Sequence, residues 1–367
     1  MTAMLPTTNQ KLKAVWPALL MLLIPLVINT GYFVRNQYLF HNPLAPAADN
    51  APLVNETHSP QAILSNVIRD GVLQFGTPST NFNHWLERSV ARMHSDILHV
   101  GLSDPATTIP DATFQVNPLL LDEDYAGDPI QALLAIGAAL FTFGLAFRRA
   151  PPTLLLSYSV GLVLAHVIFG AYLRWQPWHS RLELPLLVLA MPVVATVVAK
   201  RTTAALVGAL GAAVWIAAVP WVIDNQTRPL VGFAFPTQPR LLPNSATIFN
   251  SSRTDLYFAK RPALEGPYLT VAALAVRSGC REVGFWSGAA DWEYPLWVLT
   301  ATPDGRLRVD GVLVDNDSVH ASRFGSTPCL IVGVTPTQAA SVVVGDVDFV
   351  ETWTQGGVSL YKPLAGQ

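Results

Sequence analysis

Charged side chains are scarce in this 367-residue chain. Asp, Glu, Lys and Arg make up 13% of the residues, whereas a soluble domain usually carries about 25%. The deficit is concentrated in five apolar blocks, which indicates a membrane protein rather than an unusually apolar soluble one. The formal net charge is -2, so no excess of basic residues indicates a nucleic-acid partner.

Several motifs of soluble enzymes are also missing. The sequence contains no G-x-G-x-x-G fingerprint, no P-loop and no H-E-x-x-H pair, so nothing supports a nucleotide site or a zinc protease site. Its two cysteines, Cys280 and Cys329, do not have the C-x-x-C spacing of a thiolate metal site. We therefore expect no bound metal of that kind.

Four apolar runs separated by short polar hinges form the centre of the chain. They cover residues 130–147, 152–173, 182–199 and 203–223. A helix rises about 1.5 Å per residue, so about 20 such residues cross a hydrocarbon core of about 30 Å. The sequence predicts four transmembrane helices in two hairpins.

A fifth apolar run, residues 14–34, precedes them. It follows Lys11 and Lys13 and contains no charge. A signal peptide is the alternative, but its apolar core normally spans about 7–15 residues and a small-x-small cleavage site follows. The length of this run favours an uncleaved helix. The fold class is therefore predicted as membrane α-helical, with about five transmembrane helices.

The orientation is predicted from basic residues in the short hinges, because Lys and Arg accumulate on the cytoplasmic side. These residues are Lys11, Lys13, Arg148, Arg149, Lys200 and Arg201. With them inside, the amino terminus is cytoplasmic, and residues 35–127 and 224–367 lie outside the cytoplasm. Arg174 and Arg181 in the outer hinge weaken this contrast.

The domain plan has four parts: residues 1–34, an extracytoplasmic loop domain at 35–127, a transmembrane block at 128–223 and a domain at 224–367. The loop domain contains helix-like patterns at residues 60–72 and 83–98. The last part alternates predicted helices (267–278, and 291–300 with Asp291 as N-cap) with strand-length runs, which indicates a small α/β domain. The strand-length runs are residues 247–249, 282–286, 307–314, 329–334, 349–353 and 358–361.

The middle hinge collects Arg174, Trp175, Trp178, His179 and Arg181 within eight residues. Arg suits bidentate recognition of phosphate oxygens, and Trp can stack on a sugar ring or lie among lipid headgroups. The hinge is thus a candidate lipid-phosphate or substrate site. An interfacial anchor without a ligand is the alternative interpretation.

Two ionisable residues, His166 and Glu183, lie inside or near the flanking apolar runs. Such groups are costly in a membrane and are often functional. If the two helices pack as a hairpin, these residues could line one cavity together with Arg174 and Arg181. The alternatives are a neutral His166 hydrogen-bonded between helices and a Glu183 paired locally with Arg181.

Acidic residues cluster just before the predicted helix at Pro129: Asp122, Glu123, Asp124 and Asp128. Carboxylates are hard oxygen ligands, so these residues are candidates for holding a divalent cation or for acid–base chemistry. Acids at this position also complement the dipole of a helix N-terminus, which is the alternative interpretation.

Two features of the last domain complete the candidates. Asp291, Trp292 and Glu293 combine an aromatic ring with carboxylates and could contact a sugar, or could simply complete the core. Cys280 and Cys329 each open a predicted strand. If those strands are neighbours outside the cytoplasm, the two cysteines could form a disulfide; buried free thiols are the alternative.

With these stretches in view, the chain resembles bacterial membrane glycosyltransferases of the GT-C class, and within it the dolichyl-phosphate-mannose-type and RgtA/B/C/D-like group. The resemblance rests on four stretches in the same order. They are residues 32–43 (YFVRNQYLFHNP), 122–129 (DEDYAGDP), 174–185 (RWQPWHSRLELP) and 291–298 (DWEYPLWV).

The resemblance implies an enzyme of the bacterial inner (plasma) membrane that transfers a sugar from a polyprenyl-phosphate donor to an extracytoplasmic acceptor. Such enzymes carry a catalytic acid after their first helix, but here residues 35–38 read RNQY. The chain is therefore expected to correspond to the carboxy-terminal portion of such an enzyme, without the expected amino-terminal catalytic portion, and no catalytic residue is assigned. The alternative is a non-enzymatic membrane-anchored module or a partner of a separate catalytic subunit.

Overall fold

The computed structural model divides the chain into two compact units, Ala51–Pro262 and Met1–Asn50 with Ala263–Gln367. Helix α1, Thr30–Phe40, belongs to the second unit. Of the predicted first membrane helix, residues 14–34, the structure describes residues 19–20 and 23–34, which are helical except for a turn at Asn29. The structure describes residues 19–20, 23–44, 51–148, 153–233, 241–288, 291–302, 305–314, 327–334 and 339–364.

The unit Ala51–Pro262 begins with a mostly polar layer, residues 51–128, which we call the roof. Its helices are α2, Pro60–Leu73, and α3, Thr80–Met93, which continues into a π-turn at His94–Leu98. The side chains of Ser59 and Ser79 cap the two helices by accepting hydrogen bonds from backbone N–H groups. Both helices occur close to their predicted positions.

Four long helices follow the roof: α4, Pro129–Arg148; α5, Thr153–Tyr172; α6, His179–Arg201; and α7, Ala204–Ile223. Each is long and apolar enough to cross a membrane. The chain therefore has the properties of a membrane-embedded protein, as the apolar runs predicted. Ala138 of α4 packs against Val193 and Val194 of α6. A short helix, α8 at Arg253–Phe258, lies near the end of this unit.

The carboxy-terminal part contains α9, Glu265–Arg277, α10, Glu293–Leu299, and a six-stranded mixed sheet of order β4-β1-β5-β8-β7-β6. Strand β1 runs parallel to β4 and β5, and the other pairs are antiparallel. The strands are β1 Glu282–Ser287, β4 Arg308–Gly311, β5 Leu330–Val334, β6 Ser341–Val344, β7 Val347–Gln355 and β8 Val358–Pro363, with a separate ribbon of β2 Ala301–Thr302 and β3 Gly305–Arg306.

Two local predictions for this part of the chain were wrong. Residues 247–249, predicted as a strand, form a turn, because the Asn250 side chain accepts hydrogen bonds from the Thr247 N–H and hydroxyl. Asp291 does not cap α10. Its carboxylate instead accepts a hydrogen bond from the Gly288 N–H at 2.7 Å, and the helix begins two residues later.

A disulfide joins Cys280 and Cys329, whose Cα atoms are 5.9 Å apart. Cys280 lies just before β1 and Cys329 just before β5. Because these strands are parallel neighbours, their starts meet at one edge of the sheet. The bridge therefore fastens the end of α9 to the start of β5.

Candidate functional site

A cavity of about 200 Å³ lies between α4, α5 and α6, below α2 of the roof. Helices α4 and α6 begin at the roof and α5 ends there, so the cavity occupies the roof-side half of the bundle. Each helix presents one face to it, at positions spaced by three and four residues. The lining residues are Gly71, Gln74, Ala132, Ala135, Ile136, Ala139, Ser159, Leu162, Val163, His166, Glu183, Leu186, Leu187, Ala190 and Val193.

The walls of this cavity are apolar and its polar groups gather at one end. Ala132, Ala135 and Ala139 line the α4 side, and their short side chains leave the space open. Gln74 from the roof, with His166 and Glu183 from the bundle, forms the end nearest the roof. The cavity is therefore shaped for an amphiphile, with an apolar chain in the bundle and a polar group beneath the roof.

Glu183 is the most constrained of these polar residues. Its Oε2 accepts a hydrogen bond from Gln74 Nε2 at 3.0 Å, and Gln74 Oε1 accepts one from the Asp128 N–H at 3.1 Å. Its Oε1 lies 2.8 Å from His166 Nδ1, which is an ion-pair distance. The carboxyl group is buried and anchored on one oxygen only.

A second buried pair lies at the start of α6. His179 Nδ1 is 2.7 Å from Asp70 Oδ1, and both side chains are fully buried. The Phe169 ring meets the His179 ring edge-on, with centroids 4.9 Å apart. Burial raises the pKa of Asp70, and the hydrogen bond from His179 opposes that rise. This pair links the roof to the bundle.

Asn55 and Asn66 hold the roof on the end of α5. Asn55 Nδ2 donates to the carbonyls of Gly170 and Ala171 at 3.0 and 2.9 Å, and Asn66 Nδ2 donates to those of Gly170 and Leu173 at 2.9 and 3.0 Å. The last carbonyls of a helix have no partner within it, so these amides satisfy acceptors that would otherwise be buried and unpaired. The buried face of α2 is polar for this reason.

Arg69 organises the interior of the roof. Its guanidinium donates to the Leu102 carbonyl at 2.9 Å, to the Thr108 hydroxyl at 2.8 Å and to the Thr107 carbonyl at 3.1 Å. It also lies over the Trp175 ring, 5.5 Å from the centroid. Burial lowers the pKa of Arg69 to about 10. With no solvent exposure and all these contacts, Arg69 is a structural residue.

The sequence-predicted hinge residues separate into different environments. Trp175 is fully buried and packs on Phe114, with ring centroids 5.2 Å apart. Arg174 donates to the Val54 carbonyl at 2.9 Å and forms an ion pair with Glu56. Trp178, by contrast, is half-buried at the N-cap position of α6.

Of the four residues that the sequence suggested for one cavity, two line it. His166 of α5 and Glu183 of α6 meet there, whereas Arg174 and Arg181 do not line it. Arg181 is about half exposed and forms an ion pair with Asp124, so Glu183 is not its partner.

The acidic cluster is held by groups of the same unit. Lys260 Nζ lies 3.0 Å from Asp122 and 2.9 Å from Asp124, and Asn225 donates to Glu123 at 2.8 Å. Burial alone would raise the pKa of Asp124, but Lys260 and Arg181 outweigh it and lower that pKa. Burial raises the pKa of Asp128. Among the described residues, no group of three or more His, Cys, Asp or Glu is placed to hold a metal ion.

In the carboxy-terminal part, the candidate sugar residues support α10. Trp292 accepts a hydrogen bond on its carbonyl from the Tyr268 hydroxyl at 2.8 Å. Glu293 accepts one from Trp297 Nε1 at 2.7 Å, one helical turn later. These contacts hold the start of the helix against α9, and sugar binding by Asp291, Trp292 and Glu293 stays a prediction.

Sequence reasoning did not find Asp70, Gln74 or the two asparagines. They lie on helix α2 or beside it, in a stretch whose polar residues resemble the solvent-exposed face of an amphipathic helix. No family model, curated protein or solved structure matches this chain. The chemistry of the site therefore has to be argued from its own geometry.

Proposed function

We propose that this chain is the lipid-binding portion of a membrane glycosyltransferase-like protein. In this proposal an isoprenoid chain lies in the cavity between α4, α5 and α6. Sugar transfer from a polyprenyl-phosphate donor takes place on the roof side of the bundle. The single observation that carries the proposal is the apolar cavity that ends beneath a polar roof in a buried carboxyl group paired with a partly exposed imidazole.

The proposal includes an orientation. The basic residues Lys200 and Arg201 lie at the end of α6 that is remote from the roof, and Arg148 lies at the corresponding end of α4. The positive-inside rule puts that side in the cytoplasm and the roof outside it. The disulfide of the carboxy-terminal part supports an extracytoplasmic location, because such bonds persist in oxidising compartments. With the run at residues 14–34 included, the chain spans the membrane about five times.

Arg174 and Arg181 are the candidate contacts for the donor phosphate. Both already pair with a carboxylate, Glu56 and Asp124 respectively. A phosphate would have to replace that carboxylate, and this exchange is easier for the half-exposed Arg181 than for the buried Arg174. Arg181 is therefore the stronger candidate of the two.

Two binding measurements in nanodiscs test the proposal, one with farnesol and one with farnesyl-phosphate mannose. We expect Ala135→Leu to abolish saturable farnesol binding, because the larger side chain fills the cavity, and Arg181→Ala to weaken the binding of farnesyl-phosphate mannose about ten-fold. Ala146→Leu is the matched control for the cavity, since it makes the same change on an exposed position of α4. Farnesol binding that is absent, or equal in the Ala135→Leu and Ala146→Leu variants, contradicts the proposal.

A second candidate is a non-enzymatic membrane module that supports a separate catalytic subunit. The observation that favours it is charge pairing, since Arg174, Arg181 and Lys260 are each held by carboxylates of this chain. Under this candidate the donor does not bind, and the arginine variants change stability alone. Copurification of a glycosyltransferase with the intact chain would distinguish it further.

A further inference from the structure

The polar end of the cavity offers a hydrogen-bond acceptor. Glu183 Oε1 is buried, and its contact with His166 Nδ1 at 2.8 Å leaves it without a further partner within the part of the chain that the structure describes. The Gln74 amide beside it is already engaged, because it donates to Glu183 Oε2. The Ser159 hydroxyl, which lines the cavity elsewhere on α5, donates to the Leu155 carbonyl at 2.9 Å. A ligand that reaches this end therefore meets an acceptor that needs a donor.

The lining also offers no unengaged cation to neutralise an anion. The fifteen lining residues, all of them described, include no Lys or Arg; their one acidic residue is Glu183, and their one imidazole, His166, already faces it at 2.8 Å. A phosphate brings negative charge and oxygens that only accept hydrogen bonds. In an apolar cavity beside a carboxyl group it would lose its hydration without gaining donors. The cavity thus selects against a phosphorylated end.

An ammonium group would supply donors but would also bring charge into apolar surroundings. The imidazole of His166 already lies 2.8 Å from Glu183 Oε1, so a cation would compete with a group that occupies the same side of the carboxyl. A hydroxyl is smaller and uncharged, and it can donate to Glu183 Oε1 without displacing His166. Its desolvation cost is also the lowest of the three.

We propose that the cavity binds an uncharged isoprenoid alcohol, with its hydroxyl donating to Glu183 Oε1 and its chain along Ala135, Ala139 and Leu186. The lipid in the cavity is then an alcohol of the acceptor class, and the phosphorylated donor binds elsewhere on the roof side. The inference rests on the proposed function for the presence of an isoprenoid chain, but not for the identity of its polar end.

Competition in nanodiscs tests this directly. A photoactivatable farnesol is bound to the protein and displaced by farnesol, farnesyl phosphate or farnesylamine. We expect farnesol to compete at least ten-fold better than either charged analogue. Glu183→Gln keeps the shape and the bond to Gln74 but turns an N–H group toward the cavity, so it should remove most of this preference. Asp96→Asn is the matched control, since that exposed carboxylate lies in the roof and does not line the cavity.

The outcomes separate the inference from the function on which it rests. Equal or better competition by farnesyl phosphate or farnesylamine, with labelling still lost in Ala135→Leu, overturns the hydroxyl assignment and leaves the lipid cavity in place. A preference for farnesol that Glu183→Gln does not change also overturns it. Labelling that Ala135→Leu does not reduce overturns both.

Discussion

His179 Nδ1 lies 2.7 Å from Asp70 Oδ1 in a contact with no exposure to solvent. The pair joins α2 of the roof to the first residue of α6, two elements separated by 109 positions in sequence. Removing one partner of a buried pair leaves the other uncompensated, which costs more than the pair itself contributes. The packing of the roof on the bundle therefore depends on this contact.

Replacing Asp70 tests that dependence. Asp70→Ala should lower the free energy of unfolding by about 3–5 kcal/mol, whereas Asp70→Asn, which keeps an oxygen for His179, should cost less. Thermal unfolding in nanodiscs measures the difference. Asp96→Ala is the control, since Asp96 is an exposed acid of the same roof. An Asp70→Ala variant as stable as the control would show that the pair is not structural.

The close packing of α5 on the roof predicts that a larger residue at Gly170 destabilises the protein. A Cβ added at Gly170 would lie 3.0 Å from Val67 Cγ2 and 3.1 Å from the Val67 backbone N. Gly170→Ala should therefore destabilise the protein by about 1–3 kcal/mol through overpacking. Gly161 lies on the same helix with nothing within 4 Å of the added atom, so Gly161→Ala should be neutral or slightly stabilising. Similar melting temperatures for the two variants would contradict this packing.

The ion pairs of Lys260 with Asp122 and Asp124 predict that the stability of the protein falls at both low and high pH. Burial acts to lower the pKa of Lys260, but Asp124 and Asp122 outweigh it and raise that pKa above its ordinary value of 10.5. The pKa of Asp124 is held below its ordinary 3.8. The stabilisation from Asp124 is therefore fully present above pH 3.8 and is lost as pH falls through the folded pKa of Asp124. The stabilisation from Lys260 is fully present below pH 10.5 and is lost as pH rises through the folded pKa of Lys260.

Comparison of Lys260→Met with wild type over pH 3 to 11 checks this window. Because Lys260 and Asp124 are about one-third exposed, we expect their pairing to contribute about 1 kcal/mol or less between the two limits. The difference in melting temperature between the two proteins should shrink toward both extremes of pH. A difference that is constant across the whole range would mean that Lys260 acts through packing and not through charge.

The disulfide between Cys280 and Cys329 predicts the behaviour of the carboxy-terminal part. The bridge closes a segment with a sequence separation of 49, so Cys280→Ser with Cys329→Ser should lower the stability of this part by about 2–5 kcal/mol. Mass spectrometry with thiol alkylation should find no free thiol in the native protein until a reductant is added. Alkylation of both cysteines without reductant would contradict the bridge.

The sequence predicts the bundle well because hydropathy alone determines which residues can cross a membrane. Helices α4 to α7 match the apolar runs, and His166 and Glu183 attract attention because ionisable groups in such runs are costly. The roof was harder to predict. Asp70 looks like a surface acid until its helix is placed on the bundle, where its carboxylate meets His179 of α6. Asn66 of the same helix likewise looks exposed, but it donates to unpaired carbonyls at the end of α5.

Ion pairs between residues that are distant in sequence account for the contacts that the sequence did not predict. Lys260 meets Asp122 across 138 positions, and Arg174 meets Glu56 across 118. No local pattern encodes which acid a basic side chain reaches. The sequence offered Glu183 as a local partner for Arg181, whereas in the fold Arg181 pairs with Asp124 and Arg174 with Glu56. The cavity itself arises from small residues on one face of α4, a pattern that is equally typical of tight helix packing.

The central claim is that the space between α4, α5 and α6 holds an isoprenoid lipid. The most direct measurement is photolabelling in nanodiscs with a diazirine-bearing farnesol, followed by mass spectrometry of the labelled peptides. The account predicts labels on residues that line the cavity, such as Leu162, Val163 and Leu187, and their loss in Ala135→Leu but not in Ala146→Leu. Labels spread over the exposed faces of the helices, including α7, and unchanged by Ala135→Leu would contradict it.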